Sequence, residues 1–242
     1  MLGFYGGGVN GKEIDPRYAK ELVNRGKESY DKQNFTRAKK YFKKACDLNN
    51  GRGCSELGML YWSEKGVKRD KDNYIKAFQF FSKACDLQYA EGCTRLGISY
   101  DQGEGVEWDF IKAIQYYKKA CDLNNGWGCA NLGKSYERFM GSWNENNLGR
   151  YEFSPRLFVD IFDKQVRVDS LVKPSELQQQ IFQLYKKACD LNNGWGCSFL
   201  SSLYEKGYGV EEDQEKAAQY HQKACDLNNG YLNGCGPIFM RR

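Results

Sequence analysis

The sequence predicts an all-α fold, an α/α solenoid in which helix pairs stack into a superhelix stapled by disulfides. Three observations carry this. First, a twelve-residue stretch, Lys-Lys-Ala-Cys-Asp-Leu-Asn-Asn-Gly-Trp-Gly-Cys, occurs unchanged at Lys118–Cys129 and Lys186–Cys197, and with Arg52 in place of the Trp at Lys43–Cys54. A looser copy spans Ser82–Cys93 and a stretched one Gln222–Cys235. Second, all ten cysteines belong to these five copies, in pairs eight positions apart, or ten for Cys225 and Cys235. Third, the copies recur 36 to 39 positions apart except across one gap, a period within the range of helical solenoids.

Each copy reads as a corner between two helices. In one continuous helix, residues eight apart would lie about 12 Å from each other along the axis, whereas a disulfide needs Cα atoms within roughly 7 Å. Bonded pairs therefore require the chain to reverse between them. Asn-Asn-Gly supplies the reversal, because Asn and Gly tolerate the left-handed conformation that ends a helix. Metal binding is the rival reading of the cysteines. Zinc sites place ligands two to four residues apart and often recruit His; here there is no Cys-x-x-Cys, and His221 is the one histidine. The spacing favours disulfides Cys46–Cys54, Cys85–Cys93, Cys121–Cys129, Cys189–Cys197 and Cys225–Cys235, with no metal and no cofactor. Each short loop would stabilise the fold by about 2.5 kcal/mol on the chain-entropy estimate. Cysteines paired at this density imply a secreted or periplasmic protein.

The remaining composition narrows the class. No run reaches the length of a transmembrane helix. The start, Met-Leu-Gly-Phe-Tyr-Gly-Gly-Gly, lacks the regions of a secretory signal, which fits export if the chain is trimmed or its true start lies upstream. The net charge of +5 is modest for 242 residues, and its dispersed Lys and Glu read as solvated helix faces, not as a nucleic-acid surface.

In chain order, residues 1–18 read as a flexible leader. A helix is expected from Ala19, with Leu22, Val23, Gly26 and Tyr30 on one side, then a turn at Asp31–Asn34. A second helix runs from Phe35 to Leu48 and carries Ala38, Phe42 and Ala45. Small residues where helices cross let the backbones approach, and aromatics fill the adjoining gaps. This first pair resembles a tetratricopeptide repeat. Later units keep the grammar: Leu57, Gly58 and Tyr61; Leu96, Gly97 and Tyr100; Leu132, Gly133 and Tyr136; Leu200, Ser201 and Tyr204. Turns read Gly103-Glu-Gly-Val106 and Gly207-Tyr-Gly-Val210, and second helices carry Lys76-Ala77, Lys112-Ala113 and Lys216-Ala217, followed in two units by Phe80-Phe81 and Tyr116-Tyr117. The repeat domain is expected over residues 19–229, with a truncated tail at 230–242.

Leu-Gly-x-x-Tyr, then Gly-x-Gly-Val, then Lys-Ala-x-x-Tyr-Tyr resembles the Sel1-like repeat. With the paired cysteines and Ala-Cys-Asp-Leu added, the chain is similar to the Helicobacter cysteine-rich proteins. The resemblance implies an α/α superhelix, export, disulfides joining successive helices, penicillin binding with weak β-lactamase activity, and roles in contact with a host. Three departures stand out. The spacing between Cys121 and Cys189 is 68, so an insertion falls at about 141–174; within it Gln165–Asp169 alternates like a strand and pairs with Leu157–Ile161 in one reading, an irregular loop being the other. Ile181 stands where other units have Ala, so packing near the insertion is expected to shift. The chain stops soon after Cys235 without a complete capping helix.

No catalytic set emerges from the residues. A serine enzyme acting on β-lactams commonly uses Ser-x-x-Lys, and Ser29-Tyr-Asp-Lys32 and Ser170-Leu-Val-Lys173 match it. About one match is expected by chance, and neither Ser-Asp-Asn nor Lys-Thr-Gly accompanies them. His221 stands where Phe42, Phe81, Tyr117 and Tyr185 stand in their units and reads as a packing replacement. Binding has the better case. The first helix of each pair would line the concave face of a superhelix, which puts Met59, Trp62, Ile98, Trp127, Lys134 and Trp195 on it. A lid over the helix corner would explain Trp127 and Trp195 equally well. The expected ligand is a protein, a peptide (from a host among other sources) or a peptidoglycan fragment; an enzyme acting on β-lactams is the alternative, on resemblance alone.

Overall fold

The computed structural model describes residues 16–67, 70, 72–142 and 174–227. Ten helices and no strand occur among them: α1 (Pro16–Asp31), α2 (Phe35–Asp47), α3 (Gly51–Trp62), α4 (Asn73–Asp86), α5 (Ala90–Gln102), α6 (Phe110–Asp122), α7 (Gly126–Ser142), α8 (Pro174–Asp190), α9 (Gly194–Lys206) and α10 (Gln214–Leu227). Each packs against the next, so odd-numbered first helices and even-numbered second helices make five pairs in a solenoid.

The corners form as the repeated motif requires, with one refinement. It is the first Asn, not the Gly, that takes the left-handed turn: φ is +56° at Asn49, +60° at Asn124 and +58° at Asn192. The second Asn caps the next helix, the side chains of Asn50, Asn125 and Asn193 accepting the N–H of Gly53, Gly128 and Gly196 at 2.7–2.9 Å. The later glycine serves close approach. A Cβ on Gly53, Gly128 or Gly196 would lie 2.4–2.6 Å from the Cβ of Ala45, Ala120 or Ala188. Lys-Lys-Ala-Cys therefore meets Gly-x-Gly-Cys face to face, and Cys46–Cys54, Cys85–Cys93, Cys121–Cys129 and Cys189–Cys197 are all bonded with Cα atoms 4.5 Å apart. Cys225 is bonded as well; its expected partner, Cys235, lies outside the described residues.

Within each pair, a ring of the second helix presses on a glycine of the first. A Cβ on Gly26, Gly58, Gly97 or Gly133 would come within 2.4–2.6 Å of Phe42, Phe81, Tyr117 or Tyr185. The fifth pair changes both partners together. Ser201 replaces the glycine and donates its hydroxyl to the Ala217 carbonyl at 2.7 Å, and His221, with Nε2 3.7 Å from the Cys225 sulfur, replaces the ring. Beside this contact a second ladder repeats: Tyr61 stacks on Phe80, Tyr100 on Tyr116 and Tyr204 on Tyr220 at 5.5–5.6 Å, with Lys76, Lys112 and Lys216 over the first-helix rings.

Units also key onto their predecessors. Gly105 (φ +74°) and Gly209 (φ +70°) lie in the turns between first and second helices, where a Cβ would sit 2.2 Å from the Tyr74 carbonyl oxygen and 2.5 Å from that of Gln178. Only a residue without a side chain passes there. The core runs unbroken past the insertion: Tyr117 of α6, Phe139 of α7, Ile181 and Tyr185 of α8, Leu200 of α9 and Ala224 of α10 belong to one buried cluster.

Two expected boundaries move. The first helix begins at Pro16, not Ala19, so the leader is shorter than 1–18; a proline is well suited to an initial helical position, where its missing N–H is not needed. Helix α7 continues to Ser142 and α8 starts at Pro174. The hairpin expected at 157–161 and 165–169 lies outside the described residues, as do Ser170–Lys173 and the tail at 230–242.

Candidate binding face

Successive first helices touch one another along the solenoid, while second helices of neighbouring units stay further apart. The closer side is the inside of the curve, so α1, α3, α5, α7 and α9 line the concave face. The six candidate residues all lie on these helices, in two different situations.

Some are built into the joints between units. Met59 and Trp62 are half-buried against the cluster holding Leu96, and the Trp62 indole N–H donates to the Glu104 carboxylate, in the turn after α5, at 2.7 Å. Ile98 is half-buried against the cluster that contains Leu132. Trp127 is also half-buried, because the Arg95 guanidinium from the preceding first helix lies 4.3 Å from its ring centroid. Here the lid is on the tryptophan: the ring is fixed by a cation from the neighbouring unit.

Trp195 and Lys134 are open. Trp195 is 52% exposed, its ring tilted 6.4 Å from Phe199, which in turn sits 4.9 Å from Tyr185. On α7 the position matching Arg95 is Asn131, whose side chain turns back to the Trp127 carbonyl at 3.0 Å, so no cation among the described residues covers Trp195. Lys134 is exposed and forms no ion pair among the described residues.

One residue on this face escaped the sequence reading. Glu137 stands eight positions after Cys129, as Trp62 does after Cys54, yet its carboxyl is pushed above the usual carboxylate range, burial being the main cause, with Tyr185, Lys206 and Lys134 opposing it. The buried Tyr185 hydroxyl faces this carboxyl, and each group acts on the other's ionisation. The spacing rule that selected Trp62 would have selected Glu137 too; its burial was the hidden part.

Another hollow lies away from this face. A cavity of about 760 Å³ opens between the second helices α6 and α8, with Leu132 and Tyr136 of α7 beneath it and Lys118, Asp122, Gln179 and Gln183 on its walls. The amide-rich run Gln178–Gln180, in a helix where other units carry Lys-Ala, was its one sequence signal. The described Ser-x-x-Lys match has a local role: Ser29 is 7% exposed and its hydroxyl donates to the Arg25 carbonyl one turn back at 2.8 Å. No group of three or more His, Cys, Asp or Glu that would hold a metal occurs among the described residues.

Comparison with known proteins agrees with this architecture. The family model described as "Sel1 repeat" matches residues 17–50, 51–89, 90–125, 182–193 and 196–229. HcpC of Helicobacter pylori (strain J99) is 54% identical over 57 residues, 24% of this chain and 19% of that protein. The "Beta-lactamase HcpA" of the same strain is 55% identical over 49 residues, 20% of each chain. The matched stretch thus spans about a fifth of the length of these curated relatives. Among solved structures, a Sel1 repeat protein from Oxalobacter formigenes superposes with a TM-score of 0.62 at 22% identity, covering 85% of this chain and 69% of the other. That likeness is one of fold.

Proposed function

The chain belongs to the Sel1 repeat family, and on that premise we propose that it is an exported, disulfide-stapled binding protein whose concave first-helix face holds a protein or peptide segment or a cell-wall fragment. The observation that carries this reading is Trp195, an aromatic ring left half open beside first-helix residues that are otherwise locked into the joints of the solenoid. Exposed tryptophans beside charged side chains are what recognition surfaces use as anchors, and Lys134 supplies an exposed charge on the same face. The half-buried Trp62 and Met59 extend the strip as preorganised contact area, Trp127 held beneath Arg95. Export is supported by the bonded cysteines, since paired thiols persist in oxidising compartments.

The test is selection of a displayed random-peptide library, and of a muropeptide digest, on the immobilised protein. Ligands recovered on the wild type should lose most of their affinity on Trp195→Ala and part of it on Lys134→Ala. Ligands indifferent to both substitutions would place recognition off this face.

A second reading, slow β-lactam turnover, is favoured by the likeness to HcpA. It needs a nucleophile, a proton acceptor and charge stabilisation held together, and Ser29 gives its hydroxyl to the backbone. Intact-mass analysis after incubation with a penicillin, alongside hydrolysis, separates the two. A single acyl-serine that turns over repeatedly, and is lost on its change to Ala, would establish the enzyme.

A further inference from the structure

The first unit breaks the repeat code at two positions, and both breaks face one hollow. Aligning Gly26, which meets Phe42, with Gly58, which meets Phe81, puts Ser29 where the later units carry Tyr61, Tyr100, Tyr136 and Tyr204. The same alignment puts Arg25 where they carry Leu57, Leu96, Leu132 and Leu200. Those leucines are buried, whereas the Arg25 side chain is exposed. In three later units the first-helix tyrosine stacks on an aromatic of the second helix. In the first unit the second-helix aromatic is present, as Tyr41, and its stacking partner is missing.

The space left behind is a cavity of about 330 Å³ lined by Arg25, Glu28, Ser29, Lys32, Asn34, Arg37 and Tyr41, at the small end of the roughly 300–1,000 Å³ usual for ligand pockets. Three cations and one carboxylate surround it. Arg37 occupies the position of Lys76, Lys112 and Lys216, which lie over the first-helix rings; with no such ring to cover, its guanidinium lies 5.7 Å from the Tyr41 centroid and donates to the Tyr41 hydroxyl at 3.3 Å. Neither Arg37 nor Lys32 forms an ion pair among the described residues. Arg25 is shared with Glu21 on the same helix and also acts on Tyr41, whose phenol is held below its ordinary range by Arg37 first and Arg25 second. Among the described residues, therefore, no ring stacks on Tyr41, and Arg37 and Lys32 beside it have no counter-charge.

We propose that this hollow is a binding site for a small aromatic carboxylate, whose ring takes the place of the missing tyrosine on Tyr41 and whose acid group is held by Arg37, Lys32 and Arg25. A guanidinium fork matches a carboxylate in geometry and charge, and a ring stacked on Tyr41 restores the contact that the other units make internally. The site lies at the end of the solenoid opposite Trp195 and does not depend on the concave face.

The experiment is a titration of the full chain with 4-hydroxybenzoate, followed by amide chemical shifts, with acetate and 4-methylphenol as probes that lack the ring or the acid. Saturable shifts centred on Ser29, Arg37 and Tyr41 are expected with 4-hydroxybenzoate, and about tenfold or more weaker binding with either fragment. Ser29→Tyr fills the slot with the chain's own ring and should abolish the shifts; Arg37→Gln, which leaves the cavity intact, should weaken binding about tenfold or more. Equal responses to all three probes, no saturation with 4-hydroxybenzoate, or affinity unchanged in Arg37→Gln would overturn the proposal.

Discussion

The guanidinium of Arg95 lies 4.3 Å from the ring centroid of Trp127, and the equivalent ring one unit later, Trp195, has no cation over it among the described residues. The two tryptophans sit in identical twelve-residue stretches and differ in what surrounds them: Arg95 of the preceding first helix lies over Trp127, while Phe199, one turn on in its own helix, lies beside Trp195. Trp127→Ala should therefore cost stability, about 1–2 kcal/mol for the lost ring burial and cation–π contact. Trp195→Ala should cost no more than about 0.5 kcal/mol while reducing ligand capture the more. Urea denaturation of both variants, run beside the peptide-selection assay, checks the split; the reverse ranking on stability would contradict the assignment.

The corner bonds are local. Peptide mapping of unreduced protein should return Cys46–Cys54, Cys85–Cys93, Cys121–Cys129 and Cys189–Cys197, and Cys225 joined to Cys235. Replacing Cys121 and Cys129 together with Ser should lower stability by about 2–3 kcal/mol. A peptide linking cysteines of two different corners would refute the pairing.

The insertion should be dispensable for the fold. Residues of α6, α7, α8, α9 and α10 share one buried cluster, so stacking does not wait on what joins α7 to α8. Replacing residues 143–173 with a short Gly-containing turn is expected to leave most of the helical circular-dichroism signal and a cooperative melt. Loss of that signal would show that the segment belongs to the core.

Glu137 makes a pH-dependent prediction. Burial raises its carboxyl above the ordinary value of 4.5, so the folded protein holds this proton more tightly than the unfolded chain. Its contribution is greatest below about pH 4.5 and declines as pH rises through the folded value, because the unfolded chain ionises first. Glu137→Gln should flatten that decline and raise stability at neutral pH, the neutral amide facing the buried Tyr185 hydroxyl with no charge to desolvate. Denaturation midpoints between pH 4 and pH 8 measure it; parallel profiles for the two proteins would remove Glu137 as the cause.

What the sequence made legible was whatever is decided within one unit. Asn49-Asn50-Gly51 specifies a corner because a left-handed residue, a cap and a close approach are all local demands, and Gly58 facing Phe81 is fixed by two helices joined by one turn. What it hid was decided between units. Trp62 reads as an open groove residue until Glu104, 42 positions away, is seen to accept its indole N–H. The cavity between α6 and α8 depends on how α8 settles after the insertion, where the repeat code stops. Trp127 and Trp195 could not be separated by their shared twelve-residue stretch, since what distinguishes them is the residue of the preceding first helix, Arg95 or Asn131, and the residue one turn on, Asn131 or Phe199.

Each of the four bonds seen between described residues closes a loop of eight positions and joins a second helix to the first helix that follows it. None reaches across from one end of the solenoid to the other. Between residues 143 and 173 the backbone alone carries covalent continuity, so a single cleavage there would yield two separate polypeptides even without reductant. The amino-terminal piece keeps three staples and ends on α7; the carboxy-terminal piece begins with α8. They would stay together through noncovalent contacts alone: Leu132, Tyr136 and Phe139 share a buried cluster with Leu177, Ile181 and Tyr185, and Lys187 donates to the Cys121 carbonyl at 2.8 Å. The protein is thus a natural split pair, whose halves can be expressed apart, oxidised apart and recombined, with reassociation reporting the strength of that one joint.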